Sequence, residues 1–306
     1  MTPANYAGTD TGFGIKVAAH ECHYDVSLLV TATELNEKPY LAKGRTIVQI
    51  DTLRNSSAIT VALAAGAESV RLFGKGEDGL ADLRFQADRF NGPALLAGEV
   101  EGQPIDGFDC GNSPREFTRE RVAGRHIFYA STNNGRALEN VRGIGGRGKV
   151  VWGCMLNGQA VGRAMAQAVI QLPLLFLCAG FRGTLAKEDL ICAGQIMLSA
   201  QYHGLDLRTL DDGATVAYRL GQSYFNPNGT VTDAEALCTE MREWRCGSVL
   251  ALLNQEADID ATVTGAGIDD DVVAIARTCI PMLNTESADP IIKRFLFNYN
   301  AKPITF

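Results

Sequence analysis

The sequence predicts an α/β fold: a mostly parallel or mixed sheet with helices on both faces and a more helical C-terminal third. Three observations carry this. Short apolar runs rich in Val, Ile, Leu and Phe recur, and stretches with helical spacing lie between them. Clusters of Gly, Asn, Ser, Thr and Asp follow the apolar runs, as loops at strand ends do. Toward the C-terminus the strand-like runs thin out and helix start signals take over.

The first fourteen residues, MTPANYAGTDTGFG, are polar and Gly-rich and read as a loose arm. Residues 15–306 read as a single α/β domain, or as two closely packed lobes with a boundary near residue 145; no linker, internal repeat or low-complexity tract interrupts them. Thr46 to Asp51 (TIVQID) reads as a strand, followed by the turn TLRNSS. A helix over ITVALAAG follows, with Ser56 or Ser57 as cap and Gly66 as its end. Glu68 to Phe73 is the next strand, which completes a β-α-β unit. Ala94 to Gly98 reads as a short strand feeding the stretch Gly107 to Pro114, GFDCGNSP. There Ser113 is placed as a helix cap with Pro114 at the first helical position. His126 to Ala130 is a strand, followed by STNNG and a short helix from Arg136. Lys149 to Trp152 is a strand, with a helix over GQAVGRAMAQAVI after it. Leu174 to Cys178 is a strand, then AGFRGT and a helix from about Ala186 to Tyr202. Thr232-Asp233-Ala234-Glu235 matches a capping box before a helix that ends near Trp244.

The formal net charge of −7 argues against nucleic-acid or anionic-membrane partners, which need a basic face. The longest apolar run, LPLLFLCAG, is far too short to span a bilayer, and the N-terminus has no secretory pattern. Eight cysteines are scattered without a C-x-x-C pair, several within apolar runs, as in a reducing compartment. The cytoplasm is the expected location.

In an open α/β sheet, ligands bind beyond the carboxyl ends of the strands. TLRNSS, GFDCGNSP, STNNG and AGFRGT are therefore expected on one rim, where helix N-termini offer unpaired N–H groups to an anion. The carboxylates of that rim are Asp51, Glu99, Asp109, Glu188 and Asp189, and the nearby cations are Arg54 and Arg182. Carboxylate oxygens without a His/Cys cluster suit Mg²⁺, which would neutralise phosphoryl oxygens. Glu188 and Asp189 at a helix start also serve simply to offset the helix dipole. Other motifs fail. GIGGRG (Gly143 to Gly148) precedes a strand instead of joining a strand to a helix. HECH (His20 to His23) has no second ligand cluster to complete a zinc site. Ser113 and His126 lack the G-x-S-x-G elbow of a serine hydrolase.

Four blocks occur in order: IDTLRNSSAITVALAAGA, GE-x₇-GFDCGNSPREF, STNNGRAL and CAGFRGTLAKEDLICAG. Together they resemble the 2-phosphosulfolactate phosphatase family. The resemblance implies Mg²⁺-dependent hydrolysis of a small anionic phosphate monoester. It implies Asp51, Arg54, Asp109 and Glu188 as catalytic groups, and Asp51, Glu99, Asp109 and Asp189 as metal ligands. Arg54, Ser56, Asn112, Ser113, Thr132 and Asn133 would hold the substrate, and a homo-oligomer is expected. Thr52, Asn55 and Ser56 depart from the family pattern in the first block, Asn134 and Gly135 in the third, and Val100 stands where the family has an arginine. The departures point to a substrate less anionic than 2-phosphosulfolactate. They also keep two alternatives open: a catalytically silent relative that binds a phosphorylated ligand, and the same fold serving another phosphoester pathway.

Overall fold

The computed structural model describes residues 24–132, 150–284, 291–296 and 304–305. Each strand expected from the sequence is present, with its bounds moved by no more than two residues. These are β2 (Thr46–Ile50), β3 (Ser69–Gly74), β4 (Ala94–Val100), β6 (His126–Ser131), β7 (Val150–Gly153) and β8 (Leu174–Cys178). The sequence reading missed β1 (Val26–Leu29), the two-residue β5 (Gln103–Pro104), β9 (Cys279–Asn284), β10 (Ile291–Leu296) and β11 (Ile304–Thr305).

The strands pair in the order β1-β8-β2-β7-β9-β10-β3-β6-β4-β5, with β11 on β10. Two parallel blocks, β1-β8-β2-β7 and β3-β6-β4, are joined by the antiparallel pair β9-β10. By ladder direction the blocks run opposite ways. Six steps separate β2 from β4, and a twist of about 20–25° per step accumulates to about 120–150° over them. The carboxyl ends of β2 and β4 are thereby brought round toward one another.

The strands are buried on both faces, so they read as continuous apolar runs rather than alternating ones. Ile47, Val150, Trp152, Leu175 and Leu177 pack on one side; Val48, Ile50, Val151, Leu174, Phe176 and Cys178 pack on the other. The first face is covered by α2 (Asn55–Ala64), every residue of which is buried. Such a helix needs no polar side. Its start lies earlier than the sequence reading placed it, because Ser56 and Ser57 turn back instead of capping. Ser56 Oγ accepts the Asp51 N–H at 2.9 Å, and Ser57 Oγ donates to the Thr52 carbonyl at 2.9 Å.

The other face carries α5 (Gly158–Ala166), α6 (Lys187–Tyr202), α7 (Asp212–Gly221), α8 (Ala234–Glu243) and α9 (Arg245–Leu252). Beside β3 and β6, α3 (Glu77–Arg89) buries Leu83 and Ala87 against Phe73 and Phe128. Short α1 (Glu34–Glu37) and α4 (Arg119–Val122), together with α10 (Ala257–Thr264) and α11 (Asp270–Ala276), complete the described helices. The C-terminal third is helix-rich, as expected.

Two helix ends differ from expectation. The cap of α8 is Asp233, whose side chain accepts the Ala236 N–H at 3.0 Å, one residue beyond the Thr232 box. Helix α5 stops at Ala166, where left-handed Ala168 (φ 55°) closes a 6→1, 5→2 pair of hydrogen bonds. At the α6–α7 crossing the backbones nearly touch. A Cβ on Gly194 would lie 2.3 Å from the Ala217 carbonyl oxygen and 2.8 Å from Gly221 Cα. No described helix is long and apolar enough to cross a membrane. The helix expected from Arg136, the GIGGRG run and HECH lie outside the described residues.

Candidate active site

Three of the four expected loops meet through their carboxylates. Asp51, just past β2, is 3% exposed; its Oδ2 accepts Asn55 Nδ2 at 2.7 Å. Glu99, near the end of β4, accepts the Thr132 N–H at 2.7 Å and the Gly102 N–H at 2.7 Å. The Thr132 hydroxyl adds a third bond at 3.1 Å. Glu99 therefore ties the loop after β6 to the turn after β4. Asp189, in the first turn of α6, accepts the Thr52 N–H at 2.8 Å and the Gly180 N–H at 3.1 Å. It ties the loop after β2 to the loop after β8. Glu188 is equally buried and interacts with the Cys246 thiol of α9.

These groups share a negative field in a dry place. Burial, with Glu99 and Glu188 adding repulsion, raises the Asp51 carboxyl to about 6 even though Asn55 donates to it. Burial also pushes up Glu188, and burial reinforced by Glu188 and Asp51 pushes Asp189 well above the carboxylate range. Burial first, and then the Glu188, Asp189 and Asp51 carboxylates, hold the Cys246 thiol protonated.

Arg54 is buried beside them at 3% exposure. Its Nη1 donates to Asp258 Oδ2 at 2.6 Å and its Nη2 to the Gly102 carbonyl at 3.0 Å. Asp258, on α10, also accepts the Ser113 hydroxyl at 2.5 Å. The sequence reading missed Asp258. Asn55, which the sequence marks as a departure from the family pattern, bridges Asp51 and the Tyr129 hydroxyl; that hydroxyl donates to Asn55 Oδ1 at 2.8 Å. Both ends of the Asn55 amide are thus committed within the protein.

The structure sorts the remaining candidates. Ser113 commits its hydroxyl to Asp258, and its N–H lies 3.3 Å from Glu116 Oε2; it precedes a 3₁₀ turn with Pro114 first, as expected. Thr132 commits its N–H and its hydroxyl to Glu99. Ser56 holds the turn after Asp51. Asn112 is buried at 6% exposure, and Arg54 spends two of its five N–H donors on Asp258 and the Gly102 carbonyl, which leaves the others for an anion. Arg182 is exposed at the rim, 3.7 Å from Glu101. Asn133 and Asn134 lie outside the described residues.

Asp109 is not brought to the group. It is exposed, and its Oδ2 accepts the Leu96 N–H at 2.8 Å while its own N–H donates to the Leu96 carbonyl at 2.9 Å. It closes the outer edge of β4, three residues before Glu99 in that strand. The GFDCGNSP stretch thus divides its polar groups. Asp109 and Cys110 lengthen a strand edge, Asn112 is buried, and Ser113 reaches Asp258 beside Arg54.

Among the described residues, no three His, Cys, Asp or Glu side chains form a ready metal cluster. The donor set nevertheless fits Mg²⁺, which needs one or two carboxylates together with waters and substrate oxygens. Asp51 and Glu99 supply hard oxygens in a buried place, where burial and the repulsion from Glu99 and Glu188 raise the Asp51 proton affinity and a cation would offset both.

The family model described as 2-phosphosulpholactate phosphatase matches residues 30–269. Among curated proteins, a probable 2-phosphosulfolactate phosphatase of Caldanaerobacter subterraneus subsp. tengcongensis is 36% identical over 188 residues, 60% of this chain and 72% of that protein. One from Symbiobacterium thermophilum is 38% identical over 154 residues, 50% of this chain and 63% of that protein. One from Clostridium acetobutylicum is 31% identical over 195 residues, 63% of this chain and 77% of that protein. The match covers every loop that contributes to the buried carboxylate group, and the chain belongs to the 2-phosphosulfolactate phosphatase family.

Proposed function

We propose that this chain hydrolyses a small anionic phosphate monoester with the help of Mg²⁺, water being divided between inorganic phosphate and the released alcohol. The observation that carries the reading is the gathering of Asp51 from just past β2, Glu99 from β4 and the neighbours Glu188 and Asp189 from the first turn of α6, with Arg54 buried against the turn after β4. Asp51 and Glu99 would hold the cation, which supplies charge neutralisation at the phosphoryl oxygens. Arg54 and Asn112 bind and orient those oxygens. Glu188, whose burial favours the protonated form, carries the proton for the leaving alkoxide. Asp189 keeps two loops in register through its backbone bonds.

The named relatives point to 2-phosphosulfolactate as one substrate of this class. Asn55, which reads from sequence as a new contact for a neutral substrate group, is bonded to Asp51 and Tyr129 instead. Val100 remains as the described departure that lowers positive charge beside Glu99. The seven described cysteines are free and buried, which suits the cytoplasm. Phosphate release is measured over a panel of phospho-hydroxy acids, sugar phosphates and nucleotides, with 2-phosphosulfolactate included. EDTA stops release, and Mg²⁺ or Mn²⁺ restores it. Release restored by Zn²⁺ alone would defeat the carboxylate assignment. No release from any member of the panel would favour the silent, ligand-binding alternative.

A further inference from the structure

Asp258 lies on α10, 204 residues from Arg54 and 145 from Ser113, yet one carboxylate oxygen meets each of them. Asp258 is 2% exposed and Arg54 3%. A guanidinium has five N–H donors in a fixed plane, so two bonds fix its orientation. Here Asp258 takes Nη1 and the Gly102 carbonyl takes Nη2. The Ser113 hydroxyl holds the second oxygen of Asp258, which fixes the carboxylate in turn. Ser113 follows Asn112, and Gly102 follows the Glu99 turn, so the same three bonds set the spacing of two loops of the site. Without Asp258, Arg54 would be an unpaired cation in a dry place, free to swing toward Asp51 or Glu99.

We infer that Asp258 is a positioning residue: it aims Arg54 at the phosphoryl oxygens and locks the Asn112–Ser113 loop beside it, so that the C-terminal helices take part in substrate recognition. This rests on the reading that Arg54 meets the phosphoryl group. A competing reading of the same geometry is that Asp258 occupies the anion's place and must be displaced by substrate. The two predict opposite changes in phosphate affinity.

The test uses the full chain with Mg²⁺. Inorganic phosphate binding is measured by calorimetry, and kcat and KM by phosphate release, for wild type, Asp258→Asn, Asp258→Glu, Arg54→Gln and the double variant Arg54→Gln/Asp258→Asn. Asp258→Asn keeps the shape, removes the charge, and leaves one acceptor oxygen while turning the other position into an N–H donor. It is expected to weaken phosphate binding and raise KM by about 10–100-fold, the range seen when a group that orients a ligand is lost, with a smaller change in kcat. In the Arg54→Gln background the same change should add less than about twofold, because the two act as a unit. Asp258→Glu should recover part of the loss. Ser113→Ala, which frees only one oxygen of Asp258, gives a second and milder variant should Asp258→Asn fold poorly, and should raise KM in the same direction. Tighter phosphate binding in Asp258→Asn overturns the proposal in favour of displacement. Full additivity with Arg54→Gln overturns it in favour of a purely structural role. A wild type that binds phosphate through Arg54 but releases none from any ester refutes the proposed reaction and leaves the positioning role standing. A wild type that binds no phosphate refutes both.

Discussion

Replacing Asp51 by Asn should stabilise the metal-free protein at neutral pH while abolishing its Mg²⁺-dependent turnover. Burial, Glu99 and Glu188 lift the Asp51 carboxyl from its ordinary value of 3.8 to about 6. The folded chain therefore holds this proton more tightly than the unfolded chain. Its contribution to stability is complete below about 3.8 and is lost as the pH rises through about 6. At 1.36 kcal/mol for each tenfold change in proton affinity, the rise corresponds to about 3 kcal/mol of penalty carried by the ionised form. Asn is neutral throughout, is nearly the same size, and its amide oxygen still accepts from Asn55 Nδ2. Denaturant unfolding in EDTA should show Asp51→Asn more stable than wild type by about 1–3 kcal/mol at pH 7.5 and equal to it near pH 4. Mg²⁺ should then cancel most or all of that advantage. A cation at a hundred times its dissociation constant adds about 2.7 kcal/mol to wild type and little to the variant. A variant less stable than wild type at pH 7.5, or a difference that does not change with pH, would refute the buried, uncompensated charge at Asp51.

Asp109→Asn should keep kcat/KM within about threefold of wild type, since the Asn oxygen still accepts the Leu96 N–H at the outer edge of β4; a loss of a hundredfold or more would return Asp109 to the site. Gly194→Ala should destabilise the chain by about 1–3 kcal/mol or more through overpacking at the α6–α7 crossing, read as a lowered urea midpoint, because the nearest obstacles are backbone atoms that cannot rotate away. Leu63→Ala should cost about 2–5 kcal/mol, since Leu63 is fully buried on a helix with no solvent face; a change below 1 kcal/mol would show that the core under α2 closes on the gap.

The residues that end strands or begin helices were legible because their place follows from periodicity. Asp51 closes TIVQI, Glu99 closes the β4 run, and Glu188 and Asp189 open a long helix. The partner of Arg54 was not. In ADIDATVT the acids Asp258 and Asp260 have the look of charges set against a helix dipole. Only the tertiary contact separates buried Asp258 from Asp260, which pairs with Arg242 nearer the surface. Asp109 misled for the opposite reason. A polar residue between glycines has the same composition whether it lines a site or completes a strand edge, and here it does the latter. The parallel blocks could be read from the alternation of strands and helices. Their opposed directions could not, because the strands that set them are separated from the blocks by the whole helical region.

The hairpin β9-β10 gives that separation a meaning during protein synthesis. It is made after every other described strand of the sheet except β11, yet it sits between blocks whose strands were completed much earlier. From the end of β3 at Gly74 to the start of β10 at Ile291 the ribosome adds about two hundred residues, roughly ten to forty seconds at bacterial and eukaryotic elongation rates. Over that interval the open edge of β3 has no strand to pair with, and the edge of β7, completed at Gly153, waits from there until β9 is made at Cys279. They are long-lived templates for the wrong partner, in the centre of the future molecule and not at its rim. The nascent chain is therefore expected to depend on holding factors until its own C-terminal segment arrives.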